Sequence, residues 1–545
     1  MNNLKLICIS AGILLLFFSK VKAQGNVDSE VIIVTSETKK IVLPQANRNF
    51  EEIRIETPKQ NTAPQIYNTE NVMLNLPRLE TKIKINSIKP PAAAVLYGNY
   101  VKAGFGNYAS SYLEGFFNSK QSDNFLYGAH VKHFSSLNGP VSNSGFSDNK
   151  VDAYGKYFGD KFTLKGNLNY SRNRYNFYGY NKEQPVNKDS LKQVFNVFSA
   201  VAGIENQKKD SKLNYDFNLG YYYFMDHYKA RESEILLTGS SRYKISDDKF
   251  ISTSSMVSIS SRTDSTTIGR RFYQVKPAFN IIIDKLTLRT GINVAYTDDP
   301  VGNKFHMYPS VNADYAVIPQ RVTAFAGIDG EMQKNVLRTF VSQNPYLKSN
   351  VELLHTNKTF ELYAGAKGNI AGKLNYKARI AYLNYKNLFF FNNSAVDTSK
   401  FDILYAKGPS SVMNLTGELS YELNQRFRIS MVNNYYKYSI SPDTLKPWQR
   451  PSFTSSVIAT YNLRDKILLN LDIYYISGLS GKNYKTNHEV KLPDIVDINF
   501  KVDYRVSKAF STFLEFNNLL GKKYQRYLYY PVKSINILAG LTYSF

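Results

Sequence analysis

The stretch Val496-Asp497-Ile498-Asn499-Phe500-Lys501-Val502-Asp503-Tyr504-Arg505-Val506 decides the fold. Its even positions are apolar or aromatic, and its odd positions are charged or carry an amide. A β-strand sends successive side chains to opposite faces, so this segment has one apolar face and one strongly polar face. The period recurs along the chain. Leu213, Tyr215, Phe217, Leu219, Tyr221 and Tyr223 alternate with Asn214, Asp216, Asn218 and Gly220. Phe162, Leu164, Leu168 and Tyr170 alternate with Thr163, Lys165, Asn167, Asn169 and Ser171.

Two architectures use such strands. A soluble sandwich buries the apolar faces, whereas a membrane barrel turns them to lipid around a polar lumen. Many of the runs last 10 to 14 residues. Globular strands usually stop at about 5–6 residues, and a spanning strand needs about 9–11. The connections alternate in length. Short ones include Lys120–Asp123, Gly159–Lys161, Asp284–Lys285, Ala371–Gly372 and Arg464–Asp465, all turn-forming in composition. Long ones include Ser136–Asn149, Tyr175–Lys192, Lys334–Lys358, Ser439–Arg450, Gly478–Pro493 and Leu519–Val532. Short inner turns and long outer loops are the habit of a transmembrane antiparallel β-barrel. The first connection, Gly106–Ala109, is a short exception. The expected fold is therefore all-β, a barrel of about 22 strands (range 16–22) over residues 96–545.

The composition agrees. Mean hydropathy is −0.35, too polar for a polytopic helical membrane protein. Aromatic content is 14%, too high for a disordered chain. The only cysteine is Cys8, which excludes a disulfide scaffold. It lies within Leu6–Phe18, an apolar stretch too short to span a bilayer and suited to a signal peptide over residues 1–23, cleaved after Ala23. Residues 24–95 then read as a short periplasmic or lumen-filling segment with little strand periodicity, ending in Pro90-Pro91. Removing Lys5, Lys20 and Lys22 lowers the net charge from +24 to +21. These bases are dispersed in an exported chain, so nucleic acid is not an expected partner. Outer-membrane lipid and anionic lipopolysaccharide are.

The end of the chain adds a resemblance. Phe516-Asn517-Asn518-Leu519-Leu520-Gly521-Lys522-Lys523-Tyr524, Tyr530-Pro531 and Gly540-Leu541-Thr542-Tyr543-Ser544-Phe545 resemble the closing strands of TonB-dependent receptor barrels. Leu96–Tyr108, His133–Ser136 and Phe146–Asn149 are similar to the opening of such barrels in Bacteroidetes. The resemblance implies a barrel near 22 strands with a plugged lumen, solute import, and TonB as a possible inner-membrane partner. A final amphipathic strand ending at Phe545 resembles the signal read by the barrel-assembly machinery. The family's plug exceeds a hundred residues, and residues 24–95 are too few for it. Glu30–Thr35 resembles an energy-coupling box.

No residue pattern nominates a catalytic, cofactor or metal site. His130 and His133 are three apart in a predicted strand and point to opposite faces. Gly104-Phe105-Gly106 is not followed by a helix. Enzymatic activity is not expected. If the apolar faces meet lipid, Lys165, Asp216, Lys377, Arg379, Asp472, Asp497, Lys501, Asp503 and Arg505 face the lumen, because a midplane charge on the lipid face costs roughly 2–4 kcal/mol. Tyr178, Tyr180, Phe390 and Trp448 lie in long loops. They could form a binding surface, but girdle or loop-on-loop packing is the stronger reading. The expected function is a solute-binding or transporting outer-membrane barrel. The alternatives are a scaffolding barrel of an outer-membrane complex and, more weakly, an outer-membrane enzyme.

Overall fold

The computed structural model describes residues 98–545, apart from 120–123, 184, 208–209, 425 and 442–444. The expected signal peptide and N-terminal segment lie outside the described residues. Twenty-two antiparallel strands form one closed sheet. Each pairs with its chain neighbour, and the first strand, Tyr100–Gly106, pairs with the last, Asn536–Ser544. Closure leaves no sheet edge to satisfy in lipid.

The alternation sets the faces. Leu219, Leu362 and Leu541 project outward at 53%, 58% and 52% exposure. Their strand neighbours point inward, among them Gly220, Glu361 and Thr542, and are buried. At the seam, Gly104 and Gly540 are cross-strand partners beneath the ring of Phe513. A Cβ on Gly540 would run into both that ring and the Ala103 carbonyl. Here glycine is needed for close approach.

The turns at one end of the barrel that lie wholly within the described residues are tight. Arg464 and Asp465 both take positive φ, 53° and 55°, as short hairpin turns require. The connections at the other end are mostly long, but Gly106–Ala109 is not the only short one. The turns at 227–230 and 264–266 are short as well. Strands there are long: Arg231–Ser246 has 16 residues and Thr267–Ile283 has 17. The wall itself extends where loops were expected. Near the seam the strands are shorter than expected, with 7 residues in Tyr100–Gly106 and 8 in Phe510–Asn517.

The long connections also fold. They contain the helix Leu337–Gln343 and three hairpins: Phe389–Asn393 with Phe401–Tyr405, Ser480–Asn483 with His488–Lys491, and Gln525–Tyr527 with Tyr530–Pro531.

Candidate functional site: a polar lumen beneath a loop cap

All nine charged residues expected in the lumen lie on the face opposite the exposed apolar side chains. Lys165 Nζ sits 3.0 Å from Glu205 and 2.8 Å from Asp216. Lys377 pairs with Glu418 at 3.0 Å. Arg379 pairs with Glu361, which also holds Lys358 at 2.8 Å. Lys358 is shared with Glu331 at 3.3 Å, and Glu331 reaches Lys276 at 2.7 Å. Asp497 accepts the Tyr524 hydroxyl at 2.6 Å. Lys501 lies 3.9 Å from Glu515. Asp472 and Asp503 stand across from Asn499 and Phe513. Arg505, at the strand end, is exposed. Much of this wall therefore carries its charges in pairs, as charges taken out of bulk water need partners.

A second layer, built from loops, spans the loop end. The hairpin Phe389–Asn393/Phe401–Tyr405 leaves the wall between strands Leu374–Lys386 and Ser410–Asn424. Phe389, Phe390, Phe391, Asn392 and Asn393 are all buried. Near the hairpin tip, Lys400 lies over the rings of Phe177 and Tyr228, each at 5.1 Å. Those rings belong to connections on the opposite side of the barrel, so the hairpin crosses the mouth. Phe401 is fully buried and touches Tyr527 and Tyr530 at ring distances of 5.4 and 5.8 Å. Tyr530 stacks on Tyr346 at 3.8 Å, and its hydroxyl donates to the Ser399 carbonyl. Burial drives the hydroxyls of Tyr346 and Tyr530 well above the usual phenol range. Apolar burial on this scale holds the layer together.

Charges latch the cap to the wall. Glu232 accepts the backbone N–H groups of Leu337 and Arg338 at 2.7 and 3.1 Å. Glu234 pairs with Lys334 and, at 2.8 Å, with Arg338. Arg262 and Arg270 donate to the Val351 and Asn335 carbonyls. Asp299 accepts from Arg270 at 2.8 Å and from the His355 backbone N–H. The His355 ring accepts the Asn335 N–H at 2.9 Å through Nδ1. Burial, then the Arg270 and Lys334 cations, hold this imidazole well below its usual range, so it is neutral. In the last connection, Lys533 donates to Ser136 and the Leu137 carbonyl and lies over the rings of Tyr108 and Phe146, and burial pushes its amine down to about 8.

The loop aromatics expected as candidates are placed within this layer or at its edge. Tyr178 meets Tyr530 at 4.7 Å and donates to the Pro531 carbonyl at 3.2 Å. Phe390 and Trp448 share a second buried cluster with Leu388 and Val412. Tyr180 accepts from Asn143 at 2.7 Å beneath Lys182. Sequence reasoning missed Glu232, Glu234, Arg262 and Arg270, which read as ordinary inward polar positions. The run Phe389-Phe390-Phe391 was the one visible signal of a buried outer hairpin. Among the described residues no group of His, Cys, Asp or Glu could hold a metal ion.

No protein-family model matches the chain, and no curated protein matches it in sequence. Solved structures do match. The FrpB iron transporter of Neisseria meningitidis superposes with a TM-score of 0.66 at 10% identity, over 83% of this chain and 82% of that one. The ferric enterobactin receptor PfeA of Pseudomonas aeruginosa, in complex with enterobactin, gives 0.64 at 14% identity, over 82% and 81%. The ferric-catecholate import receptor Fiu of E. coli K12, in a closed form, gives 0.64 at 11% identity, over 83% and 82%. At these identities the likeness is one of fold: this chain forms a closed 22-stranded antiparallel barrel that superposes on the barrels of those three proteins.

Proposed function

We propose that the chain is a gated transport barrel of the outer membrane, binding a solute at its outer loops and passing it through the polar lumen. The observation that carries this reading is the division of labour in the mouth. The wall is lined with paired charges, whereas closure comes from a separate layer of loops held by aromatic packing and ion pairs. A closure built from loops can open without unfolding the wall. The named cargoes of the structural neighbours, iron and ferric catecholates, make ferric chelates the first solutes to try.

The rest of the reading follows from the sequence. Export uses the signal over residues 1–23, and residues 24–95 occupy the periplasmic side or the lumen. The strand ending at Phe545 engages the assembly machinery. TonB, or another inner-membrane partner, displaces the N-terminal segment. The barrel is of the Bacteroidetes type, on the resemblance of its opening strands. A second reading, a sealed scaffold for an outer-membrane complex, draws on the complete burial of Phe340, Phe390 and Phe401 in the cap.

Liposome swelling with sugars of graded size separates the two readings. Replacing Phe389–Tyr405 by a short Gly-Ser link is expected to admit sugars that the intact protein excludes. If both exclude them with the N-terminal segment also removed, the scaffold stands and transport fails.

A further inference from the structure

Three strands near the seam, Ser110–Asn118, Phe125–Ser136 and Phe146–Phe158, bring a serine, a histidine and an asparagine together on the outer face of the barrel. Leu113, Val131 and Val151 are exposed on that face at 48%, 38% and 47%. By the same alternation Ser111, His133, Ser135 and Asn149 point outward. His133 and Asn149 are cross-strand partners, as are Ser111 and Ser135. All four lie within the last four residues of their strands at the loop end. That is where a spanning strand leaves the hydrocarbon for the interface.

The side chains form one chain of hydrogen bonds. Ser111 Oγ lies 3.2 Å from His133 Nε2, and His133 Nδ1 lies 2.6 Å from Asn149 Oδ1. The amide fixes the tautomer. Asn149 Nδ2 donates to the Arg172 carbonyl at 3.1 Å and to Ser147 Oγ at 3.0 Å, and a carbonyl accepts only from a donor. The Asn149 oxygen therefore faces the ring, and Nδ1 carries the proton. Nε2 is left with a lone pair aimed at the Ser111 hydroxyl. A nucleophile, a base and a group that orients the base, bonded in this order, are the parts of acyl transfer. Ser135 Oγ, 2.8 Å from Ser111 Oγ, adds a second hydroxyl at the same point.

We propose that Ser111 and His133, positioned by Asn149, are an ester-hydrolysing site that faces the membrane and acts on acyl esters of outer-leaflet phospholipids. Ser111 Oγ attacks the ester carbonyl carbon and gives its proton to His133 Nε2. The carbonyl electron pair moves onto oxygen, with the Ser135 hydroxyl as the nearby donor. Collapse breaks the bond to the glycerol oxygen, which takes the proton from Nε2, and leaves Ser111 acylated. Water from the interface then attacks through the same base, releasing the fatty acid and restoring the Ser111 hydroxyl. The balance is ester plus water to acid plus alcohol. The substrate class follows from position. Leu113, Val131 and Val151 beside the site offer surface to an acyl chain. Arg172 is exposed, follows Asn149 in the cross-strand row, and bonds the neutral Asn196 amide at 3.2 Å; it offers a cation to the lipid phosphate. This face lies outside the barrel, so the inference does not depend on whether the lumen conducts.

The test is hydrolysis by the purified full chain in mixed micelles of detergent and dipalmitoyl phosphatidylethanolamine. Release of palmitate and lysolipid is expected, and a fluorophosphonate probe is expected to label Ser111. Ser111→Ala is expected to lose the label and roughly a hundredfold or more of the release, with the heat-modifiable folded band unchanged on gels. Asn149→Ala is expected to lower kcat with KM unchanged, and Asn149→Asp to restore kcat, whereas a merely structural role would reduce the folded band instead. No release above a protein-free blank, or Ser111→Ala as active as the parent, overturns the inference. A probe that labels Ser135 and not Ser111 overturns the assignment of the nucleophile.

Discussion

Phe401→Ala is the perturbation that probes the cap most sharply. Phe401 is fully buried near the tip of the hairpin that crosses the mouth, with Tyr527, Tyr530 and the backbone of Leu347 around it. Truncating a buried phenylalanine to alanine costs about 3–5 kcal/mol through lost transfer and the cavity left behind. The strands below the cap do not depend on this ring. Most of the cost therefore falls on the closed arrangement of the loops, not on the barrel. At about 1.36 kcal/mol per decade, the open-to-closed ratio rises by up to roughly two to four orders of magnitude. The assay is single-channel recording in planar bilayers with protein lacking residues 24–95, so that only the cap closes the pore. The parent is expected to be silent or to open rarely, and the variant to open for a large fraction of the record. A variant that folds normally and stays as silent as its parent would refute the view that the cap is a loop-held closure.

Three further outcomes follow from the same geometry. The closed cap holds His355 neutral with a lowered pKa, whereas a released loop would protonate near 6.5. The released state binds the extra proton, so cap stability is lost as pH falls below about 6.5; protease nicking of residues 334–355 is expected to rise from pH 8 to pH 5, and His355→Gln to flatten that rise. Gly540→Leu drives a side chain into the Ala103 carbonyl and the Phe513 ring; heat-modifiability on gels is expected to show a barrel that fails to close. Lys358→Met leaves Asp329, Glu331 and Glu361 facing one another; urea titration in lipid is expected to show a loss of roughly 3–5 kcal/mol, and an unchanged midpoint would mean these carboxylates are fully hydrated.

The wall was legible in the sequence because its rule is local. Val496–Val506 states both faces of a strand in eleven letters, and a one-residue slip would invert every position. The tight turns were legible for the same reason: Asp284-Lys285 and Arg464-Asp465 carry their own backbone chemistry. The cap was not legible, because its partners are distant in sequence. Glu232 meets the helix start at Leu337, and Tyr530 meets Ser399. Nothing near Phe389 announces that it will pair with Tyr405, since the turn between them carries no Asn-Gly signal. The short connections at 227–230 and 264–266 escaped because strand length beyond the bilayer is set by the neighbouring strands.

The claim on which all else depends is that the polar faces look inward and the apolar faces meet lipid. Single cysteines at each position from Val496 to Val506, labelled with bimane in bilayers of brominated lipid, test it directly. Strong quenching is expected at Val496, Ile498, Phe500, Val502 and Tyr504, and little at Asp497, Asn499, Lys501 and Asp503. A flat profile, or quenching at the odd positions, would contradict the account.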